Sequence, residues 1–268
     1  MTIFQALVLG ILQGLAEFLP VSSSAHLTLA PWLFHWPDPG LAFDVALHFG
    51  TLLAVLWYFR ADWIALLQAL IRIAAQREVR TVEERRALFL IVATIPGAVA
   101  GLALEKQAEG AFRDVRLIAV ALIIMGIVLW WVDRAARCDR PLEAMTWRDA
   151  ILIGLAQMFA IIPGVSRSGS TITAGRALGL TREGAAVISF LMSMPIIAAA
   201  ATLKLPHLLM SQGITAPFVV GVLASAISGW LAIAVLLRFV ARHSYGSFAV
   251  YRVVLGLAVL ALAIARSR

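Results

Sequence analysis

The chain has 268 residues, 62% of them hydrophobic and 14% charged, with a mean hydropathy of +0.92. A soluble domain is roughly 45–50% apolar and about 25% charged, so this chain has too few polar residues to coat a globule of its size. That excludes a soluble enzyme, a disordered chain and a disulfide-built secreted module, and leaves a polytopic membrane protein. Twenty-two basic against fifteen acidic residues give +7; in a lipid setting that excess speaks first to orientation, and no nucleic-acid partner is expected. Cys138 is the single cysteine and permits no internal disulfide. The first basic residue is Arg60. Residues 1–30 therefore lack the basic start of a cleavable signal and are expected to stay in the mature protein.

In chain order, residues 3–19 are apolar and stop at Pro20, followed by Val-Ser-Ser-Ser-Ala-His and a second short apolar piece to Trp36. Six stretches then read as spans, at about 41–59, 87–104, 116–133, 184–203, 216–238 and 247–265. Each is near the roughly 20 residues that cross a hydrocarbon core. Helix is their expected state, because lipid offers no partner to an open sheet edge. Residues 60–75 read as a helical extension at the interface, and the charged run 76–86 as a solvated loop. A second broken stretch begins at 150–162, stops at Pro163-Gly164, and continues through Val-Ser-Arg-Ser-Gly-Ser-Thr into another short helix-compatible piece. Non-helical backbone at membrane depth survives only where it is buried in protein or lines a wet cavity.

The two broken stretches resemble each other. A shift of 144 aligns Thr2 with Thr146, Ala6 with Ala150, Gly10 with Gly154, Gln13 with Gln157, Ala16 with Ala160, Val21 with Val165, Ser22 with Ser166 and Ser24 with Ser168. We read a duplicated unit within one membrane domain, over 1–133 (hairpin about 3–36) and 146–265 (hairpin about 147–180). Each unit is a re-entrant hairpin plus three spans. Three is odd, so the second copy enters from the opposite face, and an all-α inverted-topology repeat is expected with both elbows near the midplane. The loops 60–86, 134–148, 176–182 and 238–242 place fourteen basic residues on one face. Six lie on the other: Lys106, Arg113, Arg116, Lys204, Arg266 and Arg268. The positive-inside rule then puts both termini outside, and leaves Arg167 and Arg252 at depth.

Of the acidic residues, only Glu17 and Asp44 fall within apolar stretches. A carboxylate there is costly and marks a functional site by default. Gln13 and Glu17 share a helix face, an oxygen pair suited to Mg²⁺ or Ca²⁺, or else to an interhelical clamp. Ser22, Ser23, Ser24 and His26 follow Pro20 where a helix should start. The serines suit N-caps, and a helix start also suits an anion. Either Ser22 or Ser23 could present its hydroxyl to His26, the minimal arrangement of an activated nucleophile. Arg167 stands in the second elbow, a planar fork of donors for phosphate oxygens or a bridge to Glu17. Ser22, Ser24, Ser166, Ser168 and Thr171 join it as candidate substrate-binding groups at the two helix starts. Asp44 and His48, four apart on the span after the first elbow, read as a helix-packing pair or else as support behind the site, and His35, His207 and His243 as interface residues. Together these groups suit a phosphorylated or diphosphorylated lipid, with a transporter or flippase of such a lipid as the rival reading.

Gln13-Gly-Leu-Ala-Glu17-Phe-Leu-Pro-Val-Ser-Ser-Ser-Ala-His26 and Pro163-Gly-Val-Ser-Arg167-Ser-Gly-Ser-Thr171 closely resemble the two signature motifs of the bacitracin-resistance family, the bacterial undecaprenyl-diphosphate phosphatases. The resemblance runs over essentially the whole chain. It implies hydrolysis of undecaprenyl diphosphate to the monophosphate carrier of peptidoglycan synthesis, with resistance to bacitracin as a consequence. It also implies a divalent cation, an inner-membrane location and an active site opening outward; a homodimer stays open. By motif position, Gln13 and Glu17 match the family's proposed metal pair, Ser23 and His26 its proposed nucleophile and acid/base residue, and Arg167 its phosphate-binding arginine. Which of Ser23 and His26 is the nucleophile is left open. Two departures are visible: Gln13 supplies one charge fewer than Glu would, and Ala25 stands where Gly is common.

Overall fold

The computed structural model describes residues 1–267, with the side chains of Glu109, His207, Ser211 and Gln212 outside that description. The readings of His207 and Arg268 therefore lie outside the described residues. Among those residues the chain forms twelve α-helices and no strand. They are α1 (Ile3–Phe18), α2 (Ser23–Phe34), α3 (Gly40–Tyr58), α4 (Arg60–Gln76), α5 (Val82–Ala103), the short α6 (Glu105–Glu109), α7 (Val115–Ala135), α8 (Trp147–Met158), α9 (Arg167–Ala177), α10 (Arg182–Gln212), α11 (Ala216–Val240) and α12 (Gly246–Arg266).

Six of these are long and apolar enough to cross a membrane: α3, α5, α7, α10, α11 and α12. They coincide with the six expected spans to within a few residues, except where α5 starts early and α10 runs on past 203 to Gln212. The charged run 76–86 is not wholly a loop. Thr81 accepts from the Glu84 amide while Glu84 accepts from the Thr81 amide, a capping box that begins the helix at Val82. Arg72 adds a contact to the buried Glu84 at 3.1 Å. Large apolar side chains such as Trp57, Ile71, Val235 and Leu257 stay exposed along the helices, a surface that lipid covers.

Between helices the packing relies on small residues, since lipid tails give apolar side chains no reason to prefer one another. Gly10 and Gly14 of α1 lie against Gly221, Ser225 and Ser228 of α11, and Gly154 of α8 lies against Ala93 of α5. The contacts come in exchanged couples: α1 on α11 with α8 on α5, and α3 on α11 with α10 on α5. Helices α3 and α10 pair with each other, as do α7 and α12. Asp133 at the end of α7 accepts from Arg176 (2.8 Å), Arg182 (2.9 Å) and the Tyr245 amide (3.0 Å). This buried charge is fully partnered, and it ties α7, α9, α10 and α12 together at one end.

Candidate active site

Each elbow is made by the same sequence device. Pro20 stops α1, because it has no N–H to continue the ladder. The chain then turns at Ser22 with φ 75° and restarts as α2, capped by the Ser22 hydroxyl. In the second elbow Ser166 turns with φ 74° and caps α9 through the Gly169 amide at 2.9 Å. Ser22 and Ser166 are the residues that the shift of 144 aligns. Positive φ is costly for a residue with a Cβ and persists only where the surroundings impose it. Here they do. Ser22 Oγ accepts from the Gly164 amide at 3.0 Å, and Ser168 Oγ donates to the Leu19 carbonyl at 3.1 Å. Arg252 of α12, fully buried, donates to the carbonyls of Pro20 (3.0 Å), Gly164 (2.6 Å) and Val165 (2.9 Å). Gly164 itself has φ 97°, and a Cβ there would strike Ile118.

This cross-tie sets the first residues of two helices, Ser23 and Arg167, at one cavity of about 250 Å³. Those two positions are also equivalent under the shift, so one elbow delivers a hydroxyl and the other a guanidinium. Between them sits Glu17, 5% exposed. Its Oε1 accepts from Arg167 Nη2 at 3.1 Å and Nε at 3.4 Å. Its Oε2 accepts from Ser23 Oγ at 2.6 Å and Gln13 Nε2 at 3.0 Å, with His48 Nε2 at 3.3 Å. Arg167 Nη1 is anchored on the Ser189 carbonyl at 2.6 Å. Ser24, Ser166 and Ser168 also line the cavity, together with Leu27, Leu41, Val45, Ile161, Ile196 and Ile197. Polar groups that converge on one spot beside apolar walls suit an amphiphile with an anionic head.

Other expected site residues lie elsewhere. Ser22 is consumed in the cross-tie, and Thr171 is buried behind Arg167, its hydroxyl donating to the Arg167 carbonyl at 2.8 Å and lying 2.8 Å from Ser189 Oγ. His26 does not line the cavity. Its imidazole faces neither serine hydroxyl: Nδ1 donates to the Ser22 carbonyl at 2.7 Å, and Nε2 meets the Tyr251 hydroxyl at 2.7 Å. The helical spacing brought His26 near Ser22, but the backbone carbonyl takes the ring.

The expected cation pair does not fit a hard metal as it stands. Both Glu17 oxygens already accept from Arg167, Ser23 and Gln13. Gln13 is fully buried, does not line the cavity and turns its amide N–H to Glu17, leaving Oε1 without a partner. Among the described residues no three His, Cys, Asp or Glu side chains converge as a metal site.

The cavity holds three groups absent from the expected catalytic and binding set, of which Arg113 had no reading at the site. Asp44 and His48 are more than a packing pair: His48 reaches Glu17, and Asp44 reaches Arg113 at 3.0 Å. Arg113 also grips Asp38 at 3.0 Å. Burial works against its charge, but the Asp44 and Asp38 carboxylates outweigh that and hold its pKa above the ordinary arginine value.

The family model described as bacitracin resistance protein BacA matches residues 6–258. The chain belongs to this family. It is 58% identical over 267 residues to a protein named undecaprenyl-diphosphatase from Gemmatimonas aurantiaca, covering 100% of both chains. Proteins of the same name from Pelotomaculum thermopropionicum and Myxococcus xanthus are 52% and 46% identical. They cover 99% and 98% of this chain, and 98% and 89% of their own length. In this BacA-family chain the spacing of Asp44 and His48 was the one signal that could have placed them at the cavity, since four residues put both on one helix face. Arg113 gave no such signal, lying in a short turn between α6 and α7.

Proposed function

We propose that this chain hydrolyses undecaprenyl diphosphate to undecaprenyl phosphate and inorganic phosphate, the reaction its relatives' names describe. The observation that carries the proposal is the Ser23–Glu17 hydrogen bond of 2.6 Å, with Arg167 on the other oxygen of the same carboxylate. A hydroxyl already bonded to a carboxylate has its proton acceptor in place, and a guanidinium beside it matches phosphate oxygens. Arg167 turns from Glu17 to the terminal phosphate. Ser23 Oγ bonds to the terminal phosphorus as the bond to the bridging oxygen breaks, and its proton passes to Glu17 Oε2. The leaving group is the lipid monophosphate; water then releases phosphate from the serine. Donors at the two helix starts stabilise the charge that develops on the phosphoryl oxygens. The apolar walls accept the first part of the prenyl chain.

The same proposal has the monophosphate re-enter peptidoglycan synthesis, which opposes bacitracin. It places the chain in the bacterial plasma membrane with both termini and the cavity mouth outside, supported by the fourteen-to-six partition of basic residues. The division into repeats over 1–133 and 146–265 belongs to it as well, supported by the exchanged helix pairs.

The test is phosphate release from a prenyl diphosphate by purified protein in detergent, where no transmembrane gradient exists. Steady release with an acid-stable phosphoenzyme that disappears in Ser23→Ala is expected. An acid-labile label would move the attack to a histidine, and an inert, folded wild type would favour a transporter.

A further inference from the structure

His48 is the histidine in the cavity, and its ring is oriented by its own helix. Nδ1 lies 2.7 Å from the Asp44 carbonyl one turn earlier on α3. A carbonyl only accepts, so Nδ1 carries a proton and the ring cannot turn over without losing that bond. This fixes Nε2 at 3.3 Å from Glu17 Oε2, the same oxygen that accepts from Ser23. A bare Nε2 lone pair facing a bare carboxylate oxygen would repel it. One proton therefore lies on the Nε2–Oε2 contact, and since Oε2 must stay free to accept the Ser23 proton, it is Nε2 that donates and Oε2 that accepts.

The value of that bond appears when substrate arrives. In the free protein Arg167 steadies Oε1, and Ser23, Gln13 and His48 steady Oε2. Turnover as proposed above takes Arg167 to the phosphate and makes Ser23 a phosphoester, so Glu17 loses two of its partners at the moment its direction matters most. Gln13 and His48 are what remain, and of the two only His48 lines the cavity. We propose that His48 is a positioning residue for phosphoryl transfer: it holds Glu17 Oε2 in line with the Ser23 oxygen while Arg167 is engaged by substrate. The inference rests on the phosphatase reading of this site.

The experiment compares wild type with His48→Leu, His48→Asn and His48→Gln by steady-state hydrolysis of a prenyl diphosphate in detergent, with thermal unfolding of each as the fold control. Gln carries an N–H on a stem long enough to reach Oε2; Asn has the same chemistry but is one methylene too short. Leu and Asn are expected to lower kcat by about 10- to 100-fold, the scale of a misplaced catalytic group, with KM little changed. Gln is expected to restore most of kcat. If Leu does not fold, the Gln–Asn difference carries the test. Wild-type kcat in Leu or Asn, equal loss in Gln and Asn, or a loss carried wholly by KM would each overturn the positioning role. Wild type that releases no phosphate would overturn the phosphatase reading itself, which separates the two failures.

Discussion

Arg167 and Glu17 are charges at the foot of a cavity, and each exists there because the other neutralises it. The pair at 3.1 Å is the resting partner of a residue whose working partner is phosphate. Arg167→Ala is expected to lower kcat/KM by about 10²- to 10³-fold, the usual cost of one preorganised donor to a developing oxyanion. The unfolding midpoint in detergent should fall as well, because Glu17 loses its counter-charge, so turnover is compared at a temperature well below it. Gln13 carries the opposite expectation. Were Gln13 a ligand to Mg²⁺ or Ca²⁺, Gln13→Ala would raise the half-saturating cation concentration by about 10-fold or more; no such dependence on Gln13 is expected. At this scale the sequence made Glu17, Ser23 and Arg167 legible, because a charge or hydroxyl at a break in an apolar run has few explanations. It did not reveal that His26 turns to Ser22 and Tyr251 while His48 turns to Glu17. Side-chain direction depends on which carbonyl lies one turn back and on helices far off in the chain, and spacing alone does not encode either.

Among the elements, the half-helices were legible from proline and serine, and the long spans from length and apolarity. The start of α5 was not, because Thr81 and Glu84 sit in a run whose charge reads as solvated loop. The capping box was written there all the same, and its burial against Arg72 decided the matter. How α1 seats was half visible. Gly10 and Gly14 form a small-residue stripe, but the partner helix lies some two hundred residues away. A Cβ at position 14 would overlap the Ser228 hydroxyl and the Ser225 carbonyl, which leave no room for relaxation by a flexible tip. Gly14→Val should therefore destabilise the protein by about 1–3 kcal/mol or more, read as a lower unfolding midpoint and poorer recovery from membranes. Gly101, with nothing near its missing Cβ, is the control, and Gly101→Val should be tolerated far better.

For the molecule as a whole, the partition of basic residues predicts which end of each helix faces the cytoplasm. With Cys138 replaced by Ala, a cysteine at Ser267 should react with a membrane-impermeant maleimide in spheroplasts. One at Arg80 should react only after lysis; the reverse labelling would invert the orientation. The exchanged couples of helices mean that no half of the chain is a self-contained body: α1 seats on α11 and α8 on α5.

The cross-tie adds a consequence in time. Arg252, the residue that gathers the carbonyls of both elbows, lies in α12, some ninety residues after the second elbow and more than two hundred after the first. A ribosome delivers both elbows before α12. Ser23 and Arg167 thus reach the bilayer with the Ser22–Gly164 and Ser168–Leu19 bonds between their elbows but without the Arg252 tie. A nascent chain that lacks α12 carries the catalytic side chains without the complete cross-tie, so full activity is expected only once α12 has been made.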